Sequence, residues 1–144
     1  MVYLGMEQRM NIITLGVSDV ARLTAFYETA FGWQKLPSSN EGITFFKLNG
    51  LLLSLYPQDE LAADAGVPAD GQGFKGLTLA FNARSKEAVD TLIAELEAKG
   101  AAVVKRPQEV FWGGYSGYVA DPDGHLWEIA YNPYLELDDQ GNAV

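Results

Sequence analysis

Ile13-Thr-Leu-Gly-Val17, leading into Ser18 to Gly32, lines up without a gap against Leu77-Thr-Leu-Ala-Phe81, leading into Asn82 to Lys99. In each stretch a short apolar strand runs into an amphipathic helix. Further short strands follow, ending near a turn and an apolar run: Asn49-Gly-Leu-Leu-Leu-Ser-Leu-Tyr56 in the first half and Asp123-Gly-His-Leu-Trp-Glu-Ile-Ala130 in the second. A unit repeated within 144 residues implies one domain made of two similar halves. Function then turns on what the cleft between the halves holds.

The helical signals are periodic. Val20, Leu23, Phe26, Tyr27, Ala30 and Phe31 recur at helical spacing, with Ser18 or Asp19 as cap and Gly32 as stop. The second copy has Ser85 as cap, Val89, Leu92, Ile93 and Leu96 as the apolar stripe, and Gly100 as stop. Trp33 to Leu36, Ile43 to Leu48 and Leu51 to Tyr56 read as strands, the last two joined by the hairpin signal Asn49-Gly50. Ala101 to Lys105, Tyr115 to Ala120 and Leu126 to Tyr131 are their counterparts, with Asp121-Pro-Asp-Gly124 as the turn. The boundaries that follow are an N-terminal extension over 1–10, a first module over 11–57, a linker over 58–73 with one helical turn at Glu60 to Ala65, a second module over 74–133, and a tail over 134–144 that frays from Asp138.

Composition excludes several function classes. At 48% hydrophobic residues the chain is long enough for a real core, burying roughly two thirds of its unfolded surface. There is no cysteine, so disulfides, thiolate zinc sites and cysteine nucleophiles are excluded. The first ten residues lack the basic segment and apolar run of a signal peptide, and the longest apolar stretch is too short to cross a bilayer, so the expected location is the cytoplasm with no membrane partner. A net charge of -9 repels phosphate backbones, which argues against nucleic acid and is compatible with a cationic small molecule.

Thr14-Leu-Gly-Val-Ser-Asp19, Ala25-Phe-Tyr27 and Phe31-Gly32, followed by Gly114-Tyr-Ser-Gly-Tyr-Val-Ala-Asp-Pro-Asp-Gly-His-Leu-Trp-Glu128, resemble the vicinal oxygen chelate superfamily of glyoxalase I, bleomycin-resistance proteins and extradiol dioxygenases. The resemblance spans Asn11 to Pro133. It implies an α+β fold in which two βαβββ modules form a cup-shaped curled mixed sheet, with helices outside, the ligand inside, and a homodimer as the usual assembly.

Strand parity argues for the cup independently. Alternate strand residues face opposite sides, so Ile13, Leu15, Val17 and Leu77, Leu79, Phe81 face the helices. Ile12, Thr14, Gly16 and Gly76, Thr78, Ala80 are left on the other face. That second set is mostly small, which leaves a hollow for a ligand.

In metal-dependent relatives, the resemblance implies, one ligand comes from the first strand and one from the last strand of each module. Those positions are Ile12, Ser54, Gly76 and Glu128. Isoleucine and glycine offer no donor, and a serine hydroxyl is a weak ligand, whereas divalent transition metals want imidazole, thiolate or carboxylate. Only Glu128 survives, and the single histidine, His125, points to the opposite face of a regular strand. No metal and no other cofactor is expected, which disfavours a metal-dependent glyoxalase, a fosfomycin-type transferase or a dioxygenase.

Two readings remain open. In the first, the cup binds a small planar or cationic molecule without metal, using Ile12, Thr14, Ser54, Tyr56, Gly76, Thr78, Trp112, Tyr115 and Glu128. The aromatics Phe111, Trp112, Tyr115 and Tyr118 lie among Gly113, Gly114 and Gly117, where a flat ligand can approach backbone and ring faces. In the second, Glu128 is the general base of a metal-independent lyase or isomerase, desolvated in the cup with no cation beside it.

Overall fold

The computed structural model describes residues 5–71 and 73–144; residues 1–4 of the N-terminal extension and residue 72 of the linker lie outside it. The elements are β1 (Ile12–Val17), α1 (Val20–Ala30), β2 (Thr44–Lys47), β3 (Leu52–Pro57), α2 (Gln58–Ala65), β4 (Leu79–Asn82), α3 (Lys86–Ala98), β5 (Ala102–Glu109), β6 (Tyr115–Ala120) and β7 (Leu126–Tyr131). One sheet has the order β1-β3-β2 and the other β4-β7-β6-β5. In each, the first strand lies parallel to the last of its module, and the remaining pairs are antiparallel. A parallel pair needs a crossover, which α1 and α3 begin. The result is an α+β chain whose two open, curled sheets form a cup.

The helices start where the caps allow. Asp19 Oδ1 accepts the Arg22 N–H at 3.1 Å, and Ser85 Oγ accepts the Ala88 N–H at 3.0 Å. Each such cap contributes about 1 kcal/mol. One core joins both modules: Leu15, Val17, Leu23, Tyr27, Phe46, Leu53 and Leu55 from the first, and Val89, Ile93, Leu96, Val119, Trp127 and Ile129 from the second. These residues lie on the helix-bearing faces of the sheets, so the opposite faces stay open. Among the described residues no helix is long and apolar enough to cross a membrane.

The modules are also joined by a polar cluster, buried at Tyr27 and Asp121 and exposed at Ser18. Tyr27 on α1 donates to Asp121 Oδ2 at 2.6 Å and accepts the Trp127 indole N–H at 3.2 Å. Ser18 donates its N–H and its hydroxyl to Asp123 at 2.7 and 2.8 Å. The Asp121-Pro-Asp-Gly124 turn therefore grips the junction of β1 and α1 as well as reversing its own chain.

The structure corrects several sequence expectations. The strand expected over Trp33 to Leu36 is a single bridge, Lys35 to Phe46. The second module's first strand starts at Leu79 instead of Leu77, because Gly76 bends the chain at a φ of 81°. The true repeat is consequently shifted by two residues. Counting back from the equivalent caps Asp19 and Ser85, Thr14 matches Ala80 and Ile12 matches Thr78, and β-pairing agrees, since Thr14 lies beside Ser54 and Ala80 beside Glu128. Phe81 and Leu77, expected to be covered by helix, are about half exposed at 50% and 49%, while Ala83 takes the core position equivalent to Val17. The single turn expected at Glu60 to Ala65 is a full helix, α2, ended by Gly66 at a φ of 78°. The tail folds instead of fraying: Asp138 accepts the N–H groups of Gln140 and Asn142, Leu137 bridges Ala143, and Arg84 donates to the Asp138 carbonyl at 2.6 Å.

Candidate functional site

Paired residues on neighbouring strands share a face, so register maps the concave side. In the second sheet Ala80, Glu128 and Tyr118 form one cross-strand row. Their neighbours Trp127, Ile129 and Val119 are buried on the other side, where the Trp127 ring packs against Tyr27, Phe31 and Trp33. Glu128 is half-buried, and Tyr118 stands opposite it across the strand pair. Burial raises the Tyr118 pKa, and the Glu128 charge raises it further, so the phenol keeps its proton. A β-bulge in β5 completes the row by setting Lys105 opposite Tyr118. Bulges of this kind commonly re-aim a side chain.

In the first sheet, Ile12 is 46% exposed on the open face. Thr14 and Ser54 sit side by side with their hydroxyl oxygens 2.6 Å apart. Ser54 is 1% exposed, so its hydroxyl is committed to Thr14 and to the fold. Phe45 lies opposite Ser54 in β2 as Tyr118 lies opposite Glu128 in β6. The repeat thus places one aromatic ring beside the site position of each last strand. Tyr118 is among the aromatics that the sequence points to; Phe45 is not, although counting residues outward from Asn49-Gly50 pairs it with Ser54.

Not every expected residue joins these faces. Gly76 lies before β4; counting back from the caps gives its expected position to Thr78, itself one residue ahead of the strand. Tyr115 pairs with Tyr131 on the helix-bearing side and donates to Asp90 of α3 at 2.7 Å, with Lys86 Nζ 5.9 Å from its ring centre. It is therefore on the wrong side of the sheet from Glu128. Tyr56 lies near Glu60 of α2, whose carboxylate raises the phenol pKa. Trp112 stands in the turn between β5 and β6 and lies across Gly114, where an added Cβ would come within 1.9 Å of Cη2. Phe111 beside it is fully exposed.

The donor set does not fit a divalent transition metal. With the corrected equivalence, the four positions are Ile12, Ser54, Thr78 and Glu128: one carboxylate, two neutral hydroxyls and an alkyl chain. Among the described residues no group of three or more His, Cys, Asp or Glu side chains is placed to hold an ion. A lone carboxylate does not compete with water for such ions.

Two hollows lie away from Glu128. One, of about 530 Å³, is at the seam between the modules and is lined by Leu15, Ser18, Lys75, Leu79, Asp123 and His125 among others. The other, of about 290 Å³, runs between the end of α1 and α3 over Phe31, Trp33, Phe81, Leu96 and Trp127.

A family model for the Glyoxalase/Bleomycin resistance protein/Dioxygenase superfamily matches residues 9–129. The chain is similar to a glyoxalase-related enzyme from Fulvimarina pelagi, whose crystal structure superposes with a TM-score of 0.84 at 35% identity, over 95% of this chain and 97% of that one. It is 28% identical to the metallothiol transferase FosB of Lysinibacillus sphaericus (strain C3-41) over 122 residues, 85% of this chain and 81% of that protein. The fosfomycin resistance protein FosX from Listeria monocytogenes superposes with a TM-score of 0.67 at 28% identity, over 90% of this chain and 97% of that one.

Proposed function

Since this chain belongs to the Glyoxalase/Bleomycin resistance protein/Dioxygenase superfamily, we propose that it is a homodimer that binds a small planar organic molecule on its concave faces, with no metal ion. The donor set carries this reading. Of the strand-end positions Ile12, Ser54, Thr78 and Glu128, one alone offers a metal-competent group, and the Ser54 hydroxyl is bonded to Thr14. In place of ligands, each concave face presents a ring, Phe45 or Tyr118, beside those positions. Ring faces next to a single carboxylate suit a flat ligand with a polar or cationic edge. Trp112, at the hairpin end of the second sheet, adds a further ring. A second copy of the chain encloses the open faces.

A second reading makes Glu128 a general base in a metal-independent lyase or isomerase. The Tyr118 phenol favours it, because cross-strand pairing sets a group that keeps its proton opposite Glu128. The names of the relatives, an enzyme from Fulvimarina pelagi and a transferase, are consistent with catalysis in this superfamily.

A thermal-shift screen of planar aromatic compounds, with and without divalent metals, finds ligands because binding to the native state raises its apparent stability. With a hit in hand, Trp112→Ala is expected to weaken binding by about 1–3 kcal/mol, while Glu128→Gln has the smaller effect on a neutral ligand. The catalytic reading gives the opposite ranking, with turnover falling about 100-fold or more in Glu128→Gln at unchanged affinity. Glu128-dependent turnover of a carbonyl compound would overturn the binder reading. Light scattering that gives a monomer at micromolar concentration would remove the homodimer from it.

A further inference from the structure

His125 is the chain's single histidine, and its side chain is 12% exposed. Its Nδ1 lies 2.7 Å from Asp121 Oδ2, and its Nε2 lies 3.2 Å from the carbonyl oxygen of Gly16, in the other module. A carboxylate and a carbonyl both offer lone pairs and no proton. A neutral imidazole carries one N–H, so it can satisfy one contact only; at the other, a nitrogen lone pair would face an oxygen lone pair. The imidazolium satisfies both. Asp121 claims the Nδ1 proton, because it is the charged acceptor and also holds the N–H groups of Asp123 and His125 on Oδ1. The proton that can leave is therefore the one between His125 and Gly16.

We infer that this proton is a latch between the two modules. With the proton present, the turn that leads into β7 is tied to β1. When it leaves, attraction between Nε2 and the Gly16 carbonyl becomes repulsion, and the two segments part. β1 carries Ile12 and Thr14 on its open face, and β7 carries Glu128, so the latch sets how the two concave faces sit relative to each other.

The charged groups around the ring support this. Asp121 and Asp123 lie in its own turn, and Arg22 on α1 stands 3.8 Å from Asp123. Tyr27, also on α1, donates to the same Asp121 oxygen as the ring does, and Lys75, from the segment before β4, lines the seam cavity with His125. Burial alone would lower the imidazole pKa, but the hydrogen bond and charge of Asp121, the charge of Asp123 and the Gly16 carbonyl outweigh it and raise the pKa above the usual 6.5. A folded-state value above the unfolded one means that the latch is fully closed below about pH 6.5 and opens as pH rises through the higher folded value. Asp121 is held below the ordinary aspartate range, so it stays ionised throughout.

With one histidine in the chain, its nitrogen-15 spectrum is unambiguous. We expect both ring nitrogens protonated at pH 6, and one deprotonation, at Nε2, with a midpoint above 6.5. Amide exchange gives the mechanical readout. Corrected for intrinsic rate, protection of the Ser18, Asp123 and His125 amides should fall through the same midpoint, about tenfold for each unit by which the folded pKa exceeds that of the opened state. In His125→Gln the step in Ser18 and Asp123 should vanish. A midpoint at or below 6.5, a singly protonated ring at pH 6, or the same step in His125→Gln would overturn the latch. If His125→Gln does not fold, the wild-type titration and exchange midpoints decide the matter, since a merely structural, neutral histidine gives neither.

Discussion

Replacing Tyr27 by phenylalanine removes one oxygen from the junction of the two modules and leaves the packing in place. The ring has no exposed surface and meets Phe26, Phe31, Trp33 and Trp127 at centroid distances of 5.2, 4.9, 5.8 and 6.2 Å, contacts that phenylalanine retains. Two hydrogen bonds are lost. The one to Asp121, at 2.6 Å, has an ionised acceptor and contributes about 1.5–3 kcal/mol. The Trp127 indole N–H, donated at 3.2 Å, is left without its acceptor inside the core, at a cost of about 1–3 kcal/mol. The variant also no longer buries a hydroxyl, so the two do not simply add, and the expected loss is about 2–4 kcal/mol. Burial and Asp121 push the phenol pKa far up, so the wild-type hydroxyl remains a donor at every pH where the protein is folded. Urea unfolding at pH 7 measures the loss directly, with an unchanged m-value as the sign that the fold is intact. The melting temperature should fall by roughly 3–4 °C per kcal/mol for a chain of this size. A double-mutant cycle with Asp121→Asn should return a coupling of about 1 kcal/mol or more. A loss below about 0.5 kcal/mol, or additivity in the cycle, would refute the claim that this hydroxyl joins the modules.

Other consequences can be checked separately. Gly117→Ala sets a Cβ 2.8 Å from the Lys105 carbonyl oxygen and 2.9 Å from Pro107 N, both main-chain atoms of β5, so a loss of about 1–3 kcal/mol is expected in calorimetry. Gly114→Ala instead meets the ring of Trp112, a side chain that can swing away, and should change tryptophan fluorescence more than stability. Nickel, zinc or manganese should leave the melting temperature unchanged, and metal analysis should find less than one ion per chain; a stoichiometric ion would refute the donor-set argument. Burial pushes the Asp121 pKa up, but hydrogen bonds from His125 and Tyr27 outweigh it and hold it down, so its stabilisation is complete above about pH 3.8 and is lost as pH falls through the lower folded value. Asp121→Asn should remove that part of the acid unfolding curve.

The sequence reading recovered faces better than positions, and the reason is geometric. The likeness of Thr14-Leu-Gly to Thr78-Leu-Ala drew the repeat two residues out of true. Side chains on a strand alternate with a period of two, so the slip left Ala80 on the concave side, while Gly76 and Thr78 both fall before the strand. The caps Asp19 and Ser85 would have corrected it, because a cap fixes where a helix begins more sharply than an apolar pattern does. Tyr115 was misplaced for a related reason. Proximity to glycines says nothing about face, whereas register from the turn at Asp121 pairs Tyr118 with Glu128 and sends Tyr115 to the opposite side, towards Asp90.

The aspartates of the turn show what local reading misses. Asp121 and Asp123 are explained by the turn they form, and nothing adjacent hints at more. Their other partners, Tyr27 and Ser18, are 94 and 105 residues away in sequence, and the Gly16 carbonyl that His125 reaches is 109 away. Apolar packing alone holds two similar modules together loosely in orientation, because it is non-directional. Hydrogen bonds are directional, and a buried set leaves little tolerance for misalignment, since each lost partner carries a desolvation penalty. A turn rich in acceptors, placed where the first module offers a phenol, a hydroxyl and a main-chain N–H, fixes the angle between the two sheets. That angle determines how Ile12, Thr14 and Phe45 are presented relative to Tyr118 and Glu128, so the shape of the cup is governed by residues that do not line it.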